Sequence, residues 1–133
     1  MAVATSDASA AADTGVAHAV CCAMRRTVAL LDPAAIVTFT STGRTSLRAA
    51  RERPAAPILS LTSDLAAARR LALAWGVHSL HAPDVADMGD TLARAGEAAR
   101  REGFARPGEQ VVVVAGVPFG QAGSTNLMCV APV

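Results

Sequence analysis

Residues 39–46, "FTSTGRTS", gather five hydroxyl side chains around one glycine and one arginine. The hydroxyls of Thr40, Ser41, Thr42 and Thr45 can donate to phosphate oxygens, Gly43 lets the backbone come close to an anion, and Arg44 adds positive charge. That chemistry suits a sugar phosphate or a mononucleotide. The same residue types also build plain turns, because Ser and Thr cap helices and Gly serves tight bends. Composition alone therefore leaves an anion site and a capping turn both open. Neither G-x-x-x-x-G-K-[ST] nor G-x-G-x-x-G occurs, which argues against an NTP or dinucleotide site.

Other residues offer less. His78 and His81 are three apart on a short extended run, so they face opposite ways and cannot share a metal. Cys21, Cys22 and Cys129 are odd in number and lack a metal-type spacing, which predicts reduced, buried thiols. Asp64 reads as a helix cap, and Arg94, Glu97, Arg100, Arg101 and Glu102 as a solvated helical face. No nucleophile with an adjacent base and no carboxylate pair stands out, so the chain reads as a binder and not a catalyst.

The elements that must position the turn follow from hydrophobic period. Val16, Val20, Met24, Val28 and Leu31 recur at helical steps and predict a helix over 13–31 with Asp13 as its cap, after a leader of residues 1–12. Residues 34–40 read as a first buried strand, and 45–53 as a helix with Leu47, Ala50 and Ala49 as the inward candidates, stopped by Pro54. A second strand over 57–62 leads to a helix capped by Ser63 or Asp64, with Leu65, Ala68, Ala72 and Trp75 inward and Gly76 at its end. A third strand over 77–81 precedes a helix over 84–102. "EQVVVVAG", residues 109–116, carries four consecutive valines and predicts a central strand covered on both faces. A glycine-rich loop then leads to a fifth strand over 125–130.

Strands alternating with helices predict an α/β fold, a mostly parallel sheet between helix layers, with the fifth strand antiparallel beside the fourth. In such sheets ligands bind beyond the carboxyl ends of the strands, where the strand order reverses. If the first strand neighbours the fourth, the turn at 40–45 and the loop at 116–123 meet there, over the positive end of the second helix.

Composition bounds the function. With 133 residues, 52% apolar, the chain fits one domain with a real core. Three Phe, one Trp, no Tyr and a net charge of +1 exclude a nucleic-acid stacking platform or a strong steering field. No run approaches the ~20 apolar residues of a membrane span, and the first residues lack the basic start of a secretory signal, so a cytoplasmic protein is expected.

In residues 35–64, "AIVTFTSTGRTSLRAARERPAAPILSLTSD", the chain resembles the C-terminal domain of pyruvate kinase: a strand, T-x-[ST]-G-x-[ST], a short helix, R-P, a strand and a Thr-containing turn. "RRLALAWGV" and "GEQVVVVAGVPFGQAGSTNLMCV" continue the pattern in order to the C-terminus. The resemblance implies a three-layer α/β/α sandwich with mixed strand order 3-2-1-4-5. It also implies a regulatory and oligomerisation role, with an allosteric effector phosphate held by Thr40, Ser41, Thr42, Gly43 and Thr45, and Arg44 nearby. Gly116, Pro118, Gly120, Gly123, Ser124, Thr125 and Asn126 would form the effector loop. The region near Thr91 shows no obvious Trp or Arg for a second phosphate, so a monophosphate such as AMP, ribose 5-phosphate or glucose 6-phosphate fits better than fructose 1,6-bisphosphate. The family transfers phosphoryl from phosphoenolpyruvate to ADP in a barrel with Mg2+ and K+, and 133 residues leave no room for that barrel. The chain is therefore expected to need no cofactor, to be inactive alone, and to partner either a pyruvate kinase barrel or copies of itself. A small stand-alone enzyme using the same crevice, or a purely structural association domain, are the alternatives.

Overall fold

The computed structural model describes residues 2–116 and 125–133. In chain order the elements are α1 (Ala2–Leu31), β1 (Ala35–Phe39), α2 (Arg44–Arg51), β2 (Ile58–Thr62), α3 (Leu65–Leu71), β3 (Val77–His81), α4 (Met88–Arg101), β4 (Gln110–Ala115) and β5 (Leu127–Pro132). The five strands form one sheet in the order β3-β2-β1-β4-β5. β1 is parallel to β2 and to β4, β2 is parallel to β3, and β5 runs antiparallel to β4 with Val113 opposite Cys129. This is the expected mixed sheet, and β1 does neighbour β4.

The valines of β4 show why the sheet needs cover on both sides. Strand side chains alternate, so Val111 and Val113 join Ala35, Val37, Leu59, Ala95 and Ala99 on the α4 face. Val112 and Val114 join Met24, Val28, Ile36, Ala49 and Ile58 on the face covered by α1 and α2. All four valines are fully buried, each worth on the order of 1.5–3 kcal/mol relative to exposure. Right-handed crossovers put α3 on the same side as α2, and Leu71 of α3 lies 3.4 Å from the place a Cβ on Gly43 would occupy.

Local capping sets the helix boundaries. Asp64 accepts the Ala66 N–H at 3.0 Å and starts α3, as the sequence predicts. α4 begins at Met88, four residues later than expected, because Asp87 caps it by accepting the Asp90 N–H at 2.8 Å while the Asp90 carboxylate accepts the Ala86 N–H at 3.0 Å. The arrangement is a variant of the capping box in which Asp takes the usual Glu position and reaches the N–H of Ala86, one residue before the cap.

Several expectations about faces are corrected. α1 begins at Ala2, so Asp13 lies within the helix and not at its start. Its core stripe is Ala17, Cys21, Met24 and Val28, while Val16 and Leu31 are exposed. The stripe is rotated at its start, where small Ala17 and Cys21 take the inner face and Val16 turns outward. α2 buries Thr45, Ser46 and Ala49, leaving Leu47 exposed. α3 buries Ala67, Ala68 and Leu71 and leaves its first residue, Leu65, exposed; it stops at Leu71, so Ala72 and Trp75 lie past its end, and Trp75 is exposed with the Arg53 guanidinium 4.6 Å from its ring centroid. β5 is shifted two residues toward the C-terminus from its predicted span, starting at Leu127 and ending at Pro132.

The thiols also differ from expectation. All three are free, but only Cys21 is buried; Cys129 is half-buried and Cys22 is exposed. Desolvation, followed by the Glu52 carboxylate, pushes the Cys21 thiol up to about 11. Burial raises the Cys129 thiol as well.

Candidate functional site

Pairing of β1 with both β2 and β4 makes the carboxyl end of β1 the switch point, since the chain leaves β1 for α2 on one face and returns to β4 through α4 on the other. The turn 40–45 leaves that end. Thr40 is tied to the sheet through its N–H, which donates to the Leu61 carbonyl at 3.1 Å. Its hydroxyl oxygen accepts the Gly43 N–H at 2.8 Å, closing the turn. Gly43 takes φ 93° and is the N-cap of α2 without any side-chain cap. A left-handed residue is needed there, and glycine carries it without the Cβ clash. The positive end of α2 consequently begins beside the turn, and its own first turn carries no acidic residue.

The hydroxyls divide their work. Thr40 accepts a bond within the turn, and Thr42 Oγ1 accepts the Arg44 N–H at 3.5 Å. A hydroxyl that accepts still has its O–H to donate, so these side chains retain donors for an anion. Thr42 and Arg44 are exposed, while Thr40 and Ser41 are partly exposed. Thr45 is different: it is buried, and its Oγ1 lies 2.6 Å from the Oγ1 of Thr125, which is also buried. That bond joins the start of α2 to the entry of β5 across 80 residues of sequence. Asn126 follows at the surface, its N–H donating to the Ala115 carbonyl at 3.1 Å, and Gly116 is partly exposed at the end of β4. Thus the turn and both ends of the second loop come together. Pro118, Gly120, Gly123 and Ser124 lie outside the described residues.

Two features escape a reading by spacing. Arg70, on α3, reaches the turn from 28 residues away and donates from its Nη2 to the Thr42 carbonyl at 3.4 Å, adding a second guanidinium near the hydroxyls. Beneath the turn runs a buried hydroxyl relay: Thr38 Oγ1 to Ser46 Oγ at 2.7 Å, and Ser46 Oγ to Ser60 Oγ at 2.6 Å, all three fully buried. The relay stitches β1, α2 and β2, so the floor of the site is held by polar bonds as well as by packing. The only signal for it in the sequence is a small polar residue in each of three apolar segments.

The remaining candidates take structural roles. His78 Nε2 is 3.1 Å from Glu102 Oε1, and its ring meets Phe104 edge-on, whereas His81 Nε2 lies 2.9 Å from the Ser63 carbonyl. The two histidines therefore serve separate partners, as their spacing implies. Thr91 is fully buried and donates to the Asp87 carbonyl at 2.7 Å. Arg94, which lies near it, is committed to Asp90 at 2.9 Å and to the Pro83 carbonyl at 2.7 Å.

Helices on both faces of a five-stranded mixed sheet, with a hydroxyl-rich turn at the switch point, define the class: a three-layer α/β domain. The family model for the pyruvate kinase alpha/beta domain matches residues 18–131, and the chain belongs to that family. It is 46% identical over 115 residues to pyruvate kinase of Geobacillus stearothermophilus, covering 86% of this chain and 20% of that protein. It is 43% identical over 113 residues to pyruvate kinase of Methylorubrum extorquens, covering 85% of this chain and 24% of the relative. The chain thus spans about a fifth to a quarter of the length of the curated relatives it matches. Among the described residues, no helix is long and apolar enough to cross a membrane.

Proposed function

We propose that this chain is the regulatory and association domain of a pyruvate kinase, and that the turn 40–45 with Thr125 and Asn126 receives the phosphate of a monophosphorylated effector. The carrying observation is the Thr45–Thr125 bond at 2.6 Å, which brings the end of the second loop against a turn whose remaining hydroxyl donors surround an uncapped helix N-terminus. Arg44 is exposed next to Gly43 and Arg70 donates to the Thr42 carbonyl, so both bring positive charge to the turn. Thr40, Ser41 and Thr42 donate to the phosphate oxygens, and Gly43 lets the first turn of α2 approach them. With Thr91 and Arg94 already engaged, a sugar monophosphate or AMP suits the site better than fructose 1,6-bisphosphate. Effector binding would then favour one subunit arrangement, with a coupling of typically 1–3 kcal/mol. Phosphoryl transfer from phosphoenolpyruvate to ADP, with Mg2+ and K+, belongs in this reading to a barrel outside these residues.

Calorimetric titration of the chain with ribose 5-phosphate, AMP, glucose 6-phosphate and fructose 1,6-bisphosphate tests the ligand reading. A monophosphate should bind, and Thr42→Ala should weaken it by about 10- to 100-fold, the worth of one hydrogen bond to a charged group. Absence of heat with every compound refutes the effector site. A second reading, association, is supported by β5, which ends the sheet and exposes Val130. Sedimentation of wild type against Val130→Arg tests it: a self-associating chain that the arginine disperses supports it, and a monomer at all concentrations refutes self-association.

A further inference from the structure

His18 and Cys22 stand one helical turn apart on α1, and Glu52 follows the last residue of α2 beside them. Cys22 Sγ lies 3.5 Å from His18 Nε2 and 3.8 Å from Glu52 Oε1. The three ligand atoms all fall within 4.8 Å of one another. We propose that these side chains form a Zn2+ site that clips α1 to the carboxyl end of α2.

The spacing is that of a tetrahedral ion. Zinc with Zn–S near 2.3 Å and Zn–N near 2.0–2.1 Å holds its sulfur and nitrogen about 3.6 Å apart, and a carboxylate oxygen at similar separation from the sulfur. The two distances to Cys22 already match. Closing the imidazole–carboxylate gap calls for a turn of the partly exposed Glu52 side chain, which leaves its backbone N–H donating to the Ala49 carbonyl at 3.2 Å at the end of α2.

Donor chemistry narrows the ion. Mg2+ and Ca2+ take oxygen ligands, whereas thiolate with imidazole selects a borderline or soft metal, and Zn2+ accepts sulfur, nitrogen and oxygen together. A thiolate and a carboxylate balance the two positive charges, with the imidazole neutral. In the metal-free chain the Cys22 thiol donates to Glu52; on binding, the sulfur–hydrogen bond breaks, the sulfur–zinc bond forms and the proton leaves to solvent. His18 and Cys22 are exposed, which leaves the fourth position to water. Cys21, although adjacent, points into the core and takes no part. Spacing of the cysteines could not reveal this set, because the pair that matters is His18 with Cys22, and the third ligand comes from another helix.

The test titrates the full chain with Zn2+ against a chromophoric chelator, and separately with Co2+ as a spectroscopic probe. Expected are one metal per chain and a thiolate-to-cobalt charge-transfer band. Cys22→Ser should abolish the band, and both it and His18→Ala should weaken Zn2+ binding by more than the roughly 10- to 100-fold typical of an outer-shell change. Glu52→Gln should weaken it too, while Cys129→Ser should keep wild-type affinity, with circular dichroism confirming each variant's fold. Failure of the wild type to compete for Zn2+, retention of affinity in Cys22→Ser or Glu52→Gln, or equal loss in Cys129→Ser overturns the site.

Discussion

Removing the Ser46 hydroxyl should cost this domain more than removing either of its partners, because Ser46 is the middle of the buried relay. Ser46→Ala deletes both bonds, 2.7 Å to Thr38 and 2.6 Å to Ser60, in a place with no solvent exposure. Each bond contributes about 1 kcal/mol net, and a buried hydroxyl left unpaired costs about 1–3 kcal/mol. Thr38 and Ser60 are register partners on adjacent parallel strands and can partly recover by turning toward each other. The expected loss is therefore about 2–4 kcal/mol, against about 1–2 kcal/mol for Thr38→Val or Ser60→Ala, each of which leaves one bond in place. Urea denaturation followed by far-ultraviolet circular dichroism measures these differences. The decisive variant is the triple Thr38→Val/Ser46→Ala/Ser60→Ala, in which no hydroxyl remains to be orphaned. It should be more stable than Ser46→Ala alone, since polar partners removed together leave an apolar core. A triple variant that loses as much as the three single changes summed would refute the relay as a coupled unit.

Three further outcomes are expected. Gly43→Ala must hold a Cβ at φ 93°, which costs about 1–2 kcal/mol; thermal melting should show the loss, and an unchanged melting temperature would contradict the left-handed cap. Alkylation at pH 8 mapped by mass spectrometry should label Cys22 first, because Cys21 is pushed up to about 11 and Cys129 is raised by burial, leaving little thiolate on either; equal rates at Cys21 and Cys22 would disprove the buried orientation. Asp90 is held below the ordinary carboxylate value, first by the Ala86 N–H and then by Arg94. A depressed carboxyl contributes stability that is present above its unfolded value and lost as pH falls through the folded one. Its carbon-detected titration should thus have a midpoint below that of an unfolded Asp, and Arg94→Ala should raise the midpoint only in part.

The sheet was legible because its cause is one-dimensional. Four valines in a row must be covered on both sides, and apolar runs separated by helical periods dictate parallel pairing, so β1 to β4 follow from composition along the chain. The faces of the helices were less legible. In α1 and α3, Ala17, Cys21, Ala67 and Ala68 take inner positions beside Met24, Val28 and Leu71, while the large Val16 and Leu65 stay outside; a period count weights size, and size did not decide these faces. At the site, the turn could be read from its hydroxyls and glycine. Arg70 and the Thr38–Ser46–Ser60 relay could not, because their meeting depends on how three separate segments stack.

The hydroxyl pair of Thr45 and Thr125 has a mechanical consequence. It sets the first turn of α2 in series with the root of β5, the strand that forms the outer rail of the sheet. A displacement at the turn need not travel through the close-packed centre, where the valines resist shear. It meets the edge strand across one short bond, so the turn and the rim of the sheet are tied to each other more directly than either is to the middle strands.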